Sequence, residues 1–240
     1  MLARQLLFIA LLGSAVAQAE QREVYGRHSP KWLQAVGKLD VPGVQYHQGY
    51  GRHQNENCSG TLVTTGQRNS ADTVVTAWHC LEFYRDLSKP ITFTLMPGSE
   101  QSLSREAYRV ADGGGMYADW AVLKLHKPVR AEDIAALNVN PKRADMLRPV
   151  TMAGFSGDGG LGKEGTVLTY HSGCSITRQD RRESESDCRA YKGASGGAVI
   201  QLSPDGQAQL SGVISRGDSE NVSIYVPVSG FRSPLTLHLK

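Results

Sequence analysis

The chain is expected to fold as an all-β protein, a barrel or a sandwich. One ground is a succession of short β-branched or alternating runs, each broken by turn residues, at 61–65, 73–77, 91–96, 120–125, 166–170, 198–202, 210–215 and 222–228. The other is what is missing: no long run keeps a 3.6-residue apolar period, which disfavours helix-rich architectures. Helical signals are confined to short pieces, around 77–83 and around 30–36.

Taken in order, the chain opens with one positive charge at Arg4, an uncharged apolar stretch through Leu12, and Ala15-Val16-Ala17-Gln18-Ala19. This reads as a secretory signal over residues 1–19 with cleavage after Ala19, so the mature chain is expected to be secreted or periplasmic. The apolar core falls short of the roughly 20 residues a membrane span needs, and no second candidate follows, so no span is expected after signal removal. Residues 20–40 are polar and lack a clear period, with Ser29-Pro30 as a breaker, and read as either a short propeptide or an arm lying on the domain. The main domain is expected to occupy 41–234.

Composition bounds the function. With 40% hydrophobic residues, 26 glycines and 10 prolines in 240 residues, the chain suits one large core or two small ones. The formal charge of +3 is small and the basic residues are scattered, which argues against a nucleic-acid partner despite a sequence pI of about 8.7. The stretch 178–189 mixes both signs and reads as a solvated loop. Four cysteines in an exported chain point to two disulfides, although the sequence alone permits three pairings. Without His-x-x-x-His spacing or a nucleotide-binding glycine loop, neither a metal nor an organic cofactor is implied.

Three segments carry chemistry. Gly193-Ala194-Ser195-Gly196-Gly197 sets a serine on a glycine-flanked turn, Thr76-Ala77-Trp78-His79-Cys80 a histidine after a β-branched run, and Asp119 precedes Trp120-Ala121-Val122-Leu123-Lys124-Leu125. A serine hydroxyl is a poor nucleophile near neutral pH and needs a base within hydrogen-bond reach, itself oriented by a buried carboxylate. Histidine suits the base because it exchanges protons near neutral pH. Asp119 stands where a strand enters the core, where an unpaired carboxylate would be costly. Gly193 can turn its N–H inward beside that of Ser195, giving two donors for an oxyanion.

The order His, Asp, Ser is that of chymotrypsin, and the chain resembles the chymotrypsin-like serine peptidases from about Cys58 to Val228. Cys58-Ser59-Gly60-Thr61-Leu62-Val63 is similar to the family's early strand and Ser211-Gly212-Val213-Ile214-Ser215-Arg216-Gly217 to its substrate-lining strand. Met152-Ala153-Gly154-Phe155-Ser156-Gly157-Asp158 and the placement of Cys188 resemble the bacterial glutamyl-endopeptidase branch. The resemblance implies two antiparallel six-stranded β-barrels, one about 41–130 and one about 150–231, joined near 131–149, with protein or peptide substrate in the cleft between them; a monomer is expected. It implies His79, Asp119 and Ser195 as catalytic triad, Gly193 and Ser195 as oxyanion hole, and the bridges Cys58–Cys80 and Cys174–Cys188. Ser215 is similar to the serine that supports the triad aspartate, and 215–217 to the edge that an extended substrate joins by strand addition.

The chain also departs from the family. Ala194 replaces the aspartate that in many animal members pairs with a newly cut amino terminus, so the turn is expected to form without that ion pair. Arg189 stands where an acid would select Lys or Arg substrates, and Ile214 where glutamyl endopeptidases carry a histidine. Arg189 and Arg216 remain candidates to attract acidic substrates. Two other classes stay open from sequence: a silent binding protein on a peptidase scaffold, and an esterase using the same nucleophile.

Overall fold

A computed structural model of the chain describes residues 21–85 and 88–239; the expected signal at 1–19 lies outside them. Fifteen strands and a few short helical turns make up the fold. The first half holds β1 (Glu23–Val24), β2 (Val36–His47), β3 (Tyr50–Thr64), β4 (Ser70–Thr76), β5 (Ile91–Leu95), β6 (Leu103–Asp112) and β7 (Ala121–Arg130). The second holds β8 (Leu137–Val139), β9 (Val150–Gly154), β10 (Thr169–Cys174), β11 (Ile176–Gln179), β12 (Ser184–Ser186), β13 (Ala198–Leu202), β14 (Ala208–Gly217) and β15 (Ser223–Pro227). One α-turn, α1 (Arg232–Thr236), follows.

Strands β3-β2-β5-β6-β7-β4 pair in that order, and β4 pairs back onto β3, closing a six-stranded barrel. Its interior is the inward face of alternating strands: Leu39, Leu62, Phe93, Leu95 and Leu123 are fully buried. The second half runs β10-β9-β13-β14-β15-β12-β11, and only Ser175 separates β11 from β10, so the ring returns on itself through one bent strand. It buries Met152, Val199, Ile214 and Tyr225. Strand β8 joins the halves by pairing in parallel with both β3 and β14. Among the described residues no helix is long and apolar enough to cross a membrane.

Strand β2 starts at Val36, five residues before the expected barrel boundary, because Leu39 and Val41 already alternate inward. Its glycine and proline hid it in the sequence, and each has a local reason. A Cβ at Gly37 would lie 2.5 Å from the Phe93 ring. The Val44 N–H leaves the β3 ladder to reach the Phe83 carbonyl, and Pro42, two residues earlier, faces the same side, where a missing donor breaks no pairing. Beyond Asp40 the β2–β3 pair leaves β5 and continues to a turn at Gln48-Gly49, both at positive φ, with Tyr46 and Tyr50 exposed. The described residues ahead of β2, 21–35, form an arm on the domain: β1 pairs with β10, Glu23 opposite Tyr170 and Val24 opposite Thr169.

Both disulfides form, Cys58–Cys80 from β3 to the residue after His79, and Cys174–Cys188 from the end of β10 to the segment leading to Ser195. The second spans 14 residues, a loop whose closure restricts the unfolded chain by about 3 kcal/mol. Replacing both Cys174 and Cys188 by serine is expected to lower the unfolding free energy by roughly that amount in a urea titration.

Candidate active site

His79 sits on a single 3₁₀ turn immediately after β4, its neighbour Cys80 tied to β3. Asp119 ends the tight loop between β6 and β7. That loop folds back on itself through Gly113 N–H to Trp120 O and Ala118 N–H to Gly115 O, and a Cβ at Gly113 would strike the Ala118 carbonyl. Asp119 is fully buried and its carboxylate accepts three bonds. The His79 backbone N–H reaches Oδ1 at 2.9 Å, His79 Nδ1 reaches Oδ2 at 2.8 Å, and Ser215 Oγ reaches Oδ2 at 2.5 Å. Burial alone would raise the Asp119 carboxyl, but the His79 ring, the Ser215 hydroxyl and the His79 amide together hold it below its ordinary value. An ionised Asp119 can only accept, so Nδ1 carries the ring proton and Nε2, across the ring, is left as a base facing the cleft that His79 lines.

The serine turn is pinned from both halves. Gly196 N–H bonds Ile214 O and Ile214 N–H bonds Gly197 O on the β14 side, while Ser59 N–H from β3 holds the Ser195 carbonyl at 2.8 Å. Gly196 stands at φ +81°, and a Cβ there would lie 2.1 Å from Thr76 Oγ1 and 2.2 Å from Ser59 O, so this position admits only glycine. The Ser195 hydroxyl donates to the Ser215 carbonyl at 3.3 Å. No bond from it to His79 is present among the described residues, although both line one cleft.

Gly193, at φ +95°, backs onto the Phe155 carbonyl, which a Cβ would approach to 2.6 Å. Its carbonyl accepts from Ser59 Oγ, which in turn accepts from the Phe155 amide, both at 2.8 Å. The preceding carbonyl, of Lys192, accepts from Gly157 N–H at 2.5 Å. In a trans peptide the C=O and N–H point oppositely, so this bond turns the Gly193 N–H away from Gly157. Neither that N–H nor the Ser195 N–H has an acceptor among the described residues. Two unsatisfied donors on one turn are what a developing oxyanion requires.

His79 and Ser195 border a cleft of about 340 Å³ whose walls include Ala190, Tyr191, Lys192 and residues 214–217. The lining holds no carboxylate among the described residues. A larger hollow of about 460 Å³ lies against the arm, between Tyr25, Lys31, Met96 and Phe155, away from His79 and Ser195. Gly217 lines the cleft, and a Cβ there would meet the Val222 carbonyl at 2.4 Å. The two arginines expected to bind substrate each have a partner. Arg189 is outside the lining, with its backbone N–H on His171 Nδ1 and its Nε on the Glu220 carbonyl. Arg216 borders the cleft, but its guanidinium grips both oxygens of Glu183, at 2.7 and 2.9 Å. Sequence reasoning missed Ser59, whose signal was a hydroxyl in an apolar strand, and Lys192, the cation that the lining leaves without an acid beside it. Two clusters with metal-like spacing, Cys58, His79, Cys80 and His171, Cys174, Cys188, have their sulfurs joined in the disulfides rather than available as thiolates.

The trypsin-like peptidase domain family model matches residues 58–208. A thermostable serine protease, AL20, from an extremophilic microorganism is similar in structure: TM-score 0.63, 20% identity, covering 87% of this chain and 98% of that one. The protease Anisep from Arthrobacter nicotinovorans is similar as well, with TM-score 0.61 and 19% identity over 83% of this chain and 92% of that one. No curated protein matches the chain.

Proposed function

Because the chain belongs to the trypsin-like peptidase domain family, we propose that it is a secreted or periplasmic serine endopeptidase acting through Ser195, His79 and Asp119. The observation that carries this reading is the buried Asp119 carboxylate on His79 Nδ1, with Ser195 on the same cleft beside two unsatisfied N–H donors.

In the proposed reaction His79 Nε2 takes the Ser195 hydroxyl proton as Oγ bonds to the scissile carbonyl carbon. The carbonyl oxygen, now negative, is held by the N–H groups of Gly193 and Ser195. Collapse breaks the C–N bond, the proton on Nε2 passes to the leaving amine, and the acyl group stays on Ser195. Water then attacks with His79 again as base, which frees the acid and restores the serine. The Ser195 hydroxyl turns from the Ser215 carbonyl to Nε2 when substrate fills the cleft; such bonds are commonly loose without substrate. Asp119 stays ionised throughout and stabilises the imidazolium.

For side-chain preference, Lys192 in a lining without carboxylates favours acidic or uncharged residues at the cut bond over Lys or Arg. Export fits the two disulfides, which persist in oxidising compartments. Mass-spectrometric cleavage mapping of a diverse peptide library tests the reading, with Ser195→Ala as control. Cuts made only by the parent, and depleted after Lys and Arg, are expected. Cleavage that persists in the control, or none by the parent, would remove the assignment.

A further inference from the structure

The arm reaches the oxyanion turn through the side chain of Arg22. Arg22 is 5% exposed. Its guanidinium meets Asp158 through two bonds, Nη1 to Oδ1 at 2.9 Å and Nη2 to Oδ2 at 3.2 Å, and lies 4.0 Å from the centre of the Tyr191 ring. Burying a guanidinium is strongly unfavourable unless such partners compensate it, and these two partners have a telling position. Asp158 directly follows Gly157, and Tyr191 directly precedes Lys192. The cation therefore clamps both strands of the Gly157 N–H to Lys192 O bond, the bond that aims the Gly193 N–H.

The rest of the arm holds the clamp in place. The Tyr170 hydroxyl donates to Glu23 at 2.8 Å beside the β1–β10 pairing, and Asp158 is steadied by the Gly162 N–H on its carboxylate and the Glu164 N–H on its carbonyl. Position 194 carries no charge to brace the turn from inside: Ala194 is buried against Gly154. The Asp158 carboxyl is held below its ordinary value, chiefly by the hydrogen bond from Arg22.

We propose that Arg22 is a positioning residue for the oxyanion site, the arm clamping Asp158 and Tyr191 so that the Gly193 N–H faces the cleft. The inference rests on the reading of Ser195 as nucleophile, and it places the brace three residues beyond the expected cleavage after Ala19.

The test compares the purified parent with Arg22→Ala, Arg22→Lys and Asp158→Asn by peptide kinetics and by amide hydrogen exchange. Losing one oxyanion donor typically costs about 10²–10³-fold in kcat; a loosened donor should cost less, so Arg22→Ala and Asp158→Asn are expected to lower kcat by roughly 10- to 100-fold with KM within about twofold. Arg22→Lys keeps the charge and is expected to recover part of the loss. Exchange should rise in 155–158 and 191–195 while the first barrel stays protected. Unchanged kcat and exchange, or a loss of kcat that accompanies loss of protection throughout the molecule, would overturn the positioning role. A parent that shows the exchange pattern against Arg22→Ala yet cleaves no peptide would overturn the nucleophile reading and leave the clamp standing.

Discussion

Ser195→Ala is expected to lower kcat for peptide hydrolysis by about 10⁵- to 10⁶-fold while leaving the fold and both disulfides intact. The size follows from how much of the site converges on one oxygen. Without Oγ there is nothing to form the acyl-enzyme, and the ordered His79–Asp119 pair has no proton to move. What survives is binding in the cleft and the two donors of Gly193 and Ser195, which together leave activity about 10³- to 10⁴-fold above uncatalysed hydrolysis. The backbone that holds the turn is untouched, since Ser59 N–H bonds the Ser195 carbonyl and Gly196 N–H bonds Ile214 O. Unfolding midpoints of parent and variant should therefore agree closely while their rates do not.

Asp119→Asn should be nearly as damaging, with a kcat loss of about 10⁴-fold. An amide nitrogen at the Oδ2 position donates where the carboxylate only accepted; it forces Nδ1 to become an acceptor, moves the ring proton to Nε2, and removes the base from the cleft, while at the Oδ1 position it would set a donor against the His79 backbone N–H. Ser215 Oγ, 2.5 Å from Oδ2, and the His79 amide, 2.9 Å from Oδ1, lose the charge they now share. A stability signature accompanies the kinetic one. The Asp119 carboxyl is held below its ordinary value in the folded state, so the unfolded chain takes up a proton first as pH falls. The stabilisation from this group is thus fully present above about pH 4 to 5 and is lost as pH drops through the folded-state value. The parent's advantage over Asp119→Asn in chemical unfolding should be constant at neutral pH and shrink in acid; an advantage that grew in acid would contradict the ionised, triply bonded carboxylate.

The sequence made some of this architecture legible and hid the rest for identifiable reasons. The strands with β-branched runs, such as β13 with Ala198, Val199 and Ile200, announce themselves because both faces are buried. Strand β6, Leu103–Asp112, does not: Arg105, Glu106 and Arg109 interrupt its pattern, and among its side chains only Ala107 is fully inside. Strand β2 was masked by Gly37 and Pro42, residues that usually break strands but here serve the Phe93 contact and an unpaired side. His79, Asp119 and Ser195 stand in segments whose flanking residues are themselves informative, and the cysteine pairs followed from the same resemblance. For Arg189 and Arg216 the sequence shows a charge but not its partner. One bonds the Glu220 carbonyl and the other is neutralised by Glu183. Arg22 was invisible for the converse reason: within Gln21-Arg22-Glu23 it looks solvated, and only the fold brings Asp158, 136 positions away, against it.

The central claim is that Ser195, activated by His79, is the nucleophile. The most direct measurement is the intact mass of the protein after brief exposure to a fluorophosphonate, followed by peptide mapping of any adduct, in the parent and in His79→Ala. The account predicts one adduct per chain, located on Ser195, formed at least about 10³-fold more slowly without His79. An adduct on another residue, or labelling of Ser195 at the same rate without His79, would contradict it.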